Sequence, residues 1–181
     1  MNSTIQYSEL DSPLGKIVVC GDGPFVTGLF LPDHKGFSGI DARWTRSDAR
    51  FAEIRAQLAE YFAGTRQSFD VPLRLDGTPF QKRVWQELVN IPFGSTITYA
   101  ELARRIGRPT ASRAVGHANG RNPVSILIPC HRVVATDGKL TGYAGGISRK
   151  KWLIDLERAA SAETRFRPGR DPKSQRATVA R

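Results

Sequence analysis

Cysteine, histidine and methionine are scarce in this chain: two, three and one residue among 181. Cys20 and Cys130 are too few and too far apart for a disulfide framework. The opening MNSTIQYSEL has no basic start followed by an apolar run, so it does not read as a secretory signal. Both absences argue against export, and a reducing cytoplasm is the expected location. Paired ligand spacings such as C-x-x-C are missing too. Cys20, His34 and His117 are scattered, so no metal is expected at Cys130. No stretch approaches the roughly 18–20 apolar residues of a membrane span. Apolar residues still make up 40% of the chain, which is enough for a folded core.

Acidic residues run short in one half only. Residues 1–76 carry 8 Lys/Arg and 10 Asp/Glu, whereas residues 77–181 carry 19 and 7. The net charge of +10 therefore belongs to the second half. Such asymmetry suits an anionic partner, most often nucleic acid, and it equally suits a solvated basic surface.

The first third reads as strands. STIQYSEL, GKIVVCG and FVTGLFL are β-rich runs, and the turn residues of DSPLG and GDGP separate them. Short connections favour an antiparallel meander. Cys20 falls in a strand pattern and reads as a small core hydrophobe. Phe51, Ile54, Leu58 and Tyr61 recur at helical spacing, which predicts a helix from about Asp48 to Phe62 with Ser47 as N-cap. RQSFDVPLRLDG reads as an extended connection.

Short helices fill the second half. Thr78-Pro79 caps a helix whose stripe is Phe80, Val84, Trp85 and Leu88, with Pro92 as its stop. Thr98 and Glu101 form a T-x-x-E capping box for a helix that ends at Gly107. Another helix is expected from about Thr110 to Gly120. Two short helices across a Gly-containing turn make a helix-turn-helix. The second of them is rich in small residues, Ala111, Ser112, Ala114, Gly116 and Ala118. That composition suits close approach to DNA, and a tightly packed core helix would share it. Arg113 and Asn119 argue against burial on all sides. A last helix runs from near Ser148 to Glu157, and a basic, disordered tail is expected over 159–181.

ILIPCHRVV, residues 126–134, places the second cysteine beside a histidine and an arginine. Pro129 breaks the apolar run just before Cys130. His131 and Arg132 then put a base and a cation near the sulfur, a setting that favours a thiolate nucleophile. A buried, inert cysteine is the competing reading. If this segment were a strand, Cys130 and His131 would point to opposite faces. Glu157, beside the apolar face of the last helix, is a candidate to orient the histidine, and a solvated helix end is its alternative.

NPVSILIPCHRVV resembles the active-site signature of the O6-alkylguanine-DNA alkyltransferases of the constitutive bacterial type. The resemblance extends through FQKRVWQELVNIPFGSTITYAELARRIG, SRAVGHANGRNP and GKLTGYAGGISRKKWLIDLE, and more weakly through the N-terminal region. It implies an α+β fold: a small N-terminal domain with an antiparallel sheet over 1–76, then a mainly helical domain with a winged helix-turn-helix over 77–158. It implies Cys130 as alkyl acceptor, His131 as its base through a water, Glu157 completing the relay and Asn122 shaping the turn. Tyr99 would contact the base, and the carbonyls of Cys130 and Val133 would accept from the guanine amino group. Tyr143 would line the base pocket, with Ala144 and Gly145 near O6. Ser125 occupies a position that varies in the family and bears on alkyl size. Ala111, Ser112 and Arg113 would meet DNA, Arg113 as the side chain that fills the place of the flipped nucleotide. The implied activity is single-turnover repair of O6-alkylguanine, and of O4-alkylthymine, without cofactor. The implied partner is double-stranded DNA with alkylated bases, bound through the minor groove by a monomer that could assemble cooperatively. Two other classes remain in view: a DNA-binding module without chemistry, and a cysteine hydrolase.

Overall fold

The computed structural model describes the backbone of residues 4–166 and side chains through residue 163. Strands β1 (Gln6–Leu10), β2 (Ile17–Asp22) and β3 (Phe25–Phe30) form the expected antiparallel meander. A fourth strand, β4 (Thr45–Arg46), joins parallel to β1 and gives the order β3-β2-β1-β4. Two residues are too short for a sequence pattern to announce. Their pairing also explains why the next helix starts late. The Ser47 amide donates to the Tyr7 carbonyl, and Asp48 accepts from the Ser8 hydroxyl at 2.6 Å. Both residues are tied to β1, so Ser47 caps nothing and α1 spans Ala52–Phe62.

The 66–77 connection is extended, as read. Val26 bridges Leu73 in parallel, and the Gln57 side-chain amide clamps Asp70 through both of its backbone-facing groups. Helix α2 (Pro79–Leu88) has a reciprocal capping box between Thr78 and Gln81. It ends four residues before Pro92. Helix α3 (Tyr99–Arg105) takes its cap from Thr98, which accepts from the Glu101 amide at 3.0 Å. The Glu101 carboxylate does not reach back to complete the box. It pairs with Arg104 and Arg105 on its own helix, an i,i+3 and i,i+4 arrangement that competes for it. Helix α4 (Ser112–Gly120) follows after a turn through Gly107, which has φ of +69°. Strands β5 (Ile97–Thr98) and β6 (Val133–Val134) pair in parallel beside this helix-turn-helix.

Helix α5 runs from Ile147 to Phe166, well past the expected end at Glu157. Two glycines explain how its added turns pack. Gly64 and Gly94 both have left-handed φ, and a Cβ on either would press on Ala160 or Ser161. Small residues on both sides let two loops close on the helix. The expected tail is therefore helical through residue 166, and its remainder lies outside the described residues. One apolar core runs through both halves of the chain, from Ile17, Leu29 and Tyr61 to Trp85, Leu102 and Leu153. Among the described residues no helix is long and apolar enough to cross a membrane.

Candidate active site

Segment 122–132 is anchored to the N-terminal sheet. Leu29 of β3 donates to Pro123 and accepts from Ser125, at 2.9 and 3.0 Å. Asn122 then folds the chain. Its Oδ1 accepts from the Val124 amide at 3.1 Å, an Asx-type turn. Its Nδ2 donates to the Ile128 carbonyl at 2.8 Å and to Cys130 Sγ at 3.0 Å. The loop so formed forces Ile126 to φ of +73°, a conformation costly for a β-branched residue. The apolar triplet Ile126-Leu127-Ile128 is thus a strained loop rather than a strand.

Cys130–Arg132 forms a 3-10 turn. Neighbouring side chains on such a turn diverge by about 120°, since it has three residues per turn. Cys130, His131 and Arg132 accordingly find different partners. Cys130 is 2% exposed. Burial pushes its thiol up, opposed by hydrogen bonding from Asn122 and the charge of Lys150. His131 places Nε2 at 2.8 Å from Glu157 Oε1. Arg132 does not supply a cation at the sulfur, as the sequence reading had it. It turns to Glu157 through Nε and Nη2, both at 2.9 Å, and to the Ile91 carbonyl.

Glu157 is the hub. Besides His131 and Arg132 it accepts from the Tyr61 hydroxyl at 2.8 Å and from the Gly94 amide at 3.1 Å. Burial by itself would raise its pKa, but His131 and Arg132 outweigh burial and hold the carboxyl well below the usual range. An ionised Glu157 only accepts, so Nε2 of His131 carries the proton. Burial lowers the histidine's own pKa, which keeps it neutral. Nδ1 is then a bare acceptor, and it has no protein partner among the described residues. This is a buried thiol beside a neutral, oriented imidazole.

The other candidates gather around this centre. Tyr143 and Ala144 are buried, and Tyr143 stands edge-on to the His131 ring at 6.5 Å. Gly145 passes so close to Leu31 that a Cβ would meet its Cδ1 at 2.5 Å. Val133 is buried opposite Ile97 in the β5–β6 pair. The Tyr99 hydroxyl donates to the Thr141 carbonyl at 3.0 Å. The same carbonyl accepts from Lys150 Nζ at 2.6 Å, and burial lowers that ammonium to about 8. On α4, Arg113 is exposed, Ala111 and Ser112 are half-buried, and Val115, Ala118 and Asn119 face inward. Asn119 is thus a core residue, at 1% exposure, and donates to the Cys130 carbonyl at 3.2 Å. Its polar character gave no hint of that. A cleft of about 960 Å³ opens beside Asn122, Tyr143 and Ala144, between Gly116 of α4 and Lys35 of the N-terminal half.

Sequence reasoning did not bring Tyr61 or Lys150 to the site. Tyr61 carries the signal of a core helix position, and Lys150 sits in the run Arg149-Lys150-Lys151, where a solvated face is the natural reading. Among the described residues, no group of three or more His, Cys, Asp or Glu side chains could hold a metal.

Residues 79–159 match the family described as "6-O-methylguanine DNA methyltransferase, DNA binding domain", and residues 5–75 match its "ribonuclease-like domain". The chain is 46% identical over 157 residues to a methylated-DNA–protein-cysteine methyltransferase of Mycolicibacterium paratuberculosis, covering 87% of this chain and 94% of that one. The crystal structure of Mycobacterium tuberculosis O6-methylguanine methyltransferase superposes with a TM-score of 0.82 at 44% identity, over 91% of this chain and all of that one. A Mycobacterium tuberculosis OGT crystallised in complex with DNA gives 0.81 at 46% identity, over 86% and 94%. The thiol, the imidazole and the helix-turn-helix thus sit in a fold shared over nearly the whole length of these relatives, and the chain belongs to the methylated-DNA–protein-cysteine methyltransferase family.

Proposed function

We propose that Cys130 is the cysteine through which this methyltransferase repairs DNA, taking the alkyl group from O6 of guanine once and irreversibly. The observation that carries the reading is the setting of one buried thiol. An amide N–H rests on its sulfur, and the adjacent imidazole has its far nitrogen locked on a carboxylate.

A thiol 2% exposed cannot reach a base stacked in a duplex, so the alkylated nucleotide must rotate out. The thiol proton passes to Nδ1 of His131 through one water. The sulfur attacks the alkyl carbon, a C–S bond forms and the C–O6 bond breaks. Its electron pair stays with guanine, which takes back one proton. Thiol and O6-alkylguanine become thioether and guanine, a balance that needs no cofactor. O4-alkylthymine presents the same alkyl ether and fits the same chemistry.

Tyr143, Ala144 and Gly145 would line the base pocket, Tyr99 would touch the base, and the carbonyls of Cys130 and Val133 would accept from its amino group. Ala111, Ser112 and Arg113 open α4, and the exposure of Arg113 leaves it free to enter the stack. Small residues there suit a helix laid in the minor groove by a monomer, with affinity drawn from phosphates. We read 1–76 as scaffold and 77–158 as the unit that binds DNA and reacts. Both cysteines are free, as a reducing cytoplasm would keep them.

Incubation with duplex DNA containing O6-methylguanine should replace one thiol hydrogen by methyl, seen by intact mass and mapped to Cys130. Cys130→Ser should gain nothing and still bind DNA. A methyl group mapped to Cys20, or none on freshly reduced protein, would overturn the assignment.

A further inference from the structure

Arg149, in the first turn of α5, gathers carbonyls from three separate parts of the chain. Its Nε donates to Leu14 at 3.1 Å, and its Nη1 donates to Pro32 at 3.0 Å and to Gly145 at 2.9 Å. Nη2 adds an ion pair with Asp33 at 3.7 Å, whose side chain is 92% exposed. Pro32 and Asp33 are the middle of a tight turn. The His34 amide donates to the Leu31 carbonyl at 3.2 Å, and Asp33 has φ of +57°. This turn is seated on two glycines. A Cβ on Gly15 would meet Pro32 Cγ at 2.9 Å, and one on Gly145 would meet Leu31. Just after the turn, the Lys35 amide donates to the Ala144 carbonyl at 2.9 Å. The N-terminal half therefore grips Ala144 and Gly145 through Lys35, Leu31 and the Arg149 bonds.

The space around 143–146 shows what that grip is for. Tyr143, Ala144 and Gly146 line the cleft of about 960 Å³. A second cavity of about 380 Å³ is lined by Leu14, Gly145, Gly146, Arg149 and Trp152. Gly146 lines both, so the chain there is a partition between two open volumes. It has φ of +91° and no side chain to brace it. Without the staple the partition has room to retreat.

We propose that Arg149 is a positioning residue that fixes this partition as the wall of the base pocket, and so limits the size of alkyl group the site accepts. The proposal rests on Tyr143, Ala144 and Gly145 lining that pocket and on Cys130 being the acceptor. With the wall held, a group larger than methyl cannot gain room by pushing it back. With the wall released into the second cavity, a larger group gains that room. A methyl group then loses the surface that keeps its carbon in line with sulfur and O6. One set of bonds thus acts in opposite directions on small and large groups, which a general loosening of the fold would not do.

Arg149→Lys is the informative variant. It keeps the charge toward DNA and Asp33 but loses the planar fork that reaches several carbonyls at once. Single-turnover rates are measured on duplex DNA carrying O6-methylguanine or O6-benzylguanine. The variant should slow methyl transfer about tenfold and leave benzyl transfer nearly unchanged, so the benzyl-to-methyl ratio rises about tenfold. Affinity for unmodified duplex, read by gel shift, should hold. Hydrogen exchange of the Lys35 amide, which reports on the Ala144 carbonyl, should quicken about tenfold. Asp33→Asn removes only the exposed ion pair and should leave the ratio at its wild-type value. An unchanged ratio, or equal slowing of both substrates, would overturn the proposal. So would unchanged Lys35 exchange, or the same change of ratio in Asp33→Asn. Failure of the wild type to take an alkyl group from either DNA would instead overturn Cys130 as acceptor, and Lys35 exchange would still report whether Arg149 holds the wall.

Discussion

Replacing Glu157 by glutamine tests the hub of the site. The carboxylate accepts two bonds from Arg132 and one each from His131, Tyr61 and Gly94. Glutamine offers one oxygen and an NH2 group, so at least one of these donors would face another donor. Arg132 would also keep a buried charge without its anion. Removing one member of a buried pair costs about 3–5 kcal/mol, and that is the loss expected for Glu157→Gln near neutral pH. The pH dependence makes the cause specific. The folded pKa of Glu157 is held well below its unfolded value of about 4.5. Between those two values the unfolded chain binds the extra proton, so stability rises with pH there. The contribution is fully present above the unfolded pKa and is lost as pH falls toward the folded one. Urea unfolding of both proteins from pH 6 down to pH 3 should show the gap steady above about pH 5. It should then narrow by about 1.4 kcal/mol per pH unit below about 4.5. A gap that is the same at pH 3 as at pH 6 would refute the ionised hub, and with it the argument that Nδ1 of His131 is the bare nitrogen.

Two further outcomes follow from the same geometry. Asn122→Ala removes four hydrogen bonds, one of them to the sulfur. It should cost about 2–3 kcal/mol and slow methyl transfer at least tenfold while DNA affinity holds, and equal loss of binding in a gel-shift assay would refute the local role. Arg113→Ala should slow repair of duplex DNA about tenfold or more and leave reaction with O6-benzylguanine as a free base nearly unchanged, because only the duplex needs its stack filled. Equal slowing with both substrates would remove the case for Arg113 in the stack.

The elements most legible in the sequence were those set by local rules. The β1–β3 meander rests on alternation and turn residues, and the start of α2 on a Thr78-Pro79 cap that needs no distant partner. Misreadings arose where a distant partner competed for a local signal. Ser47 and Asp48 look like a helix start, but β1 claims both. Glu101 looks like half of a capping box, but two arginines claim it. The candidate site divides the same way. Cys130 and His131 stand together in the chain and could be proposed at once. Tyr61 meets Glu157 across 96 residues of sequence, and His34 meets Ser125 across 91. No local pattern encodes such pairs.

In the proposed reaction those long-range pairs give the N-terminal half a part in holding the site. Leu29 holds the start of the cysteine loop, Lys35 holds Ala144, and Tyr61 holds Glu157. Arg149 adds a staple, donating to Gly145, to Pro32 and to Leu14. Each contact fixes a group whose direction matters when sulfur, alkyl carbon and O6 must fall in line. The resting thiol is another matter. Burial keeps Cys130 mostly protonated, which slows attack on substrate. The same burial slows oxidation and stray alkylation, since the thiolate is the reactive form. For an enzyme with many turnovers that slowness would be a continuing loss. For a protein consumed in one event, an unspent sulfur is worth more than a fast one. The hydrogen bond from Asn122 then matters most after the base has entered, when it meets a charge that is only beginning to form.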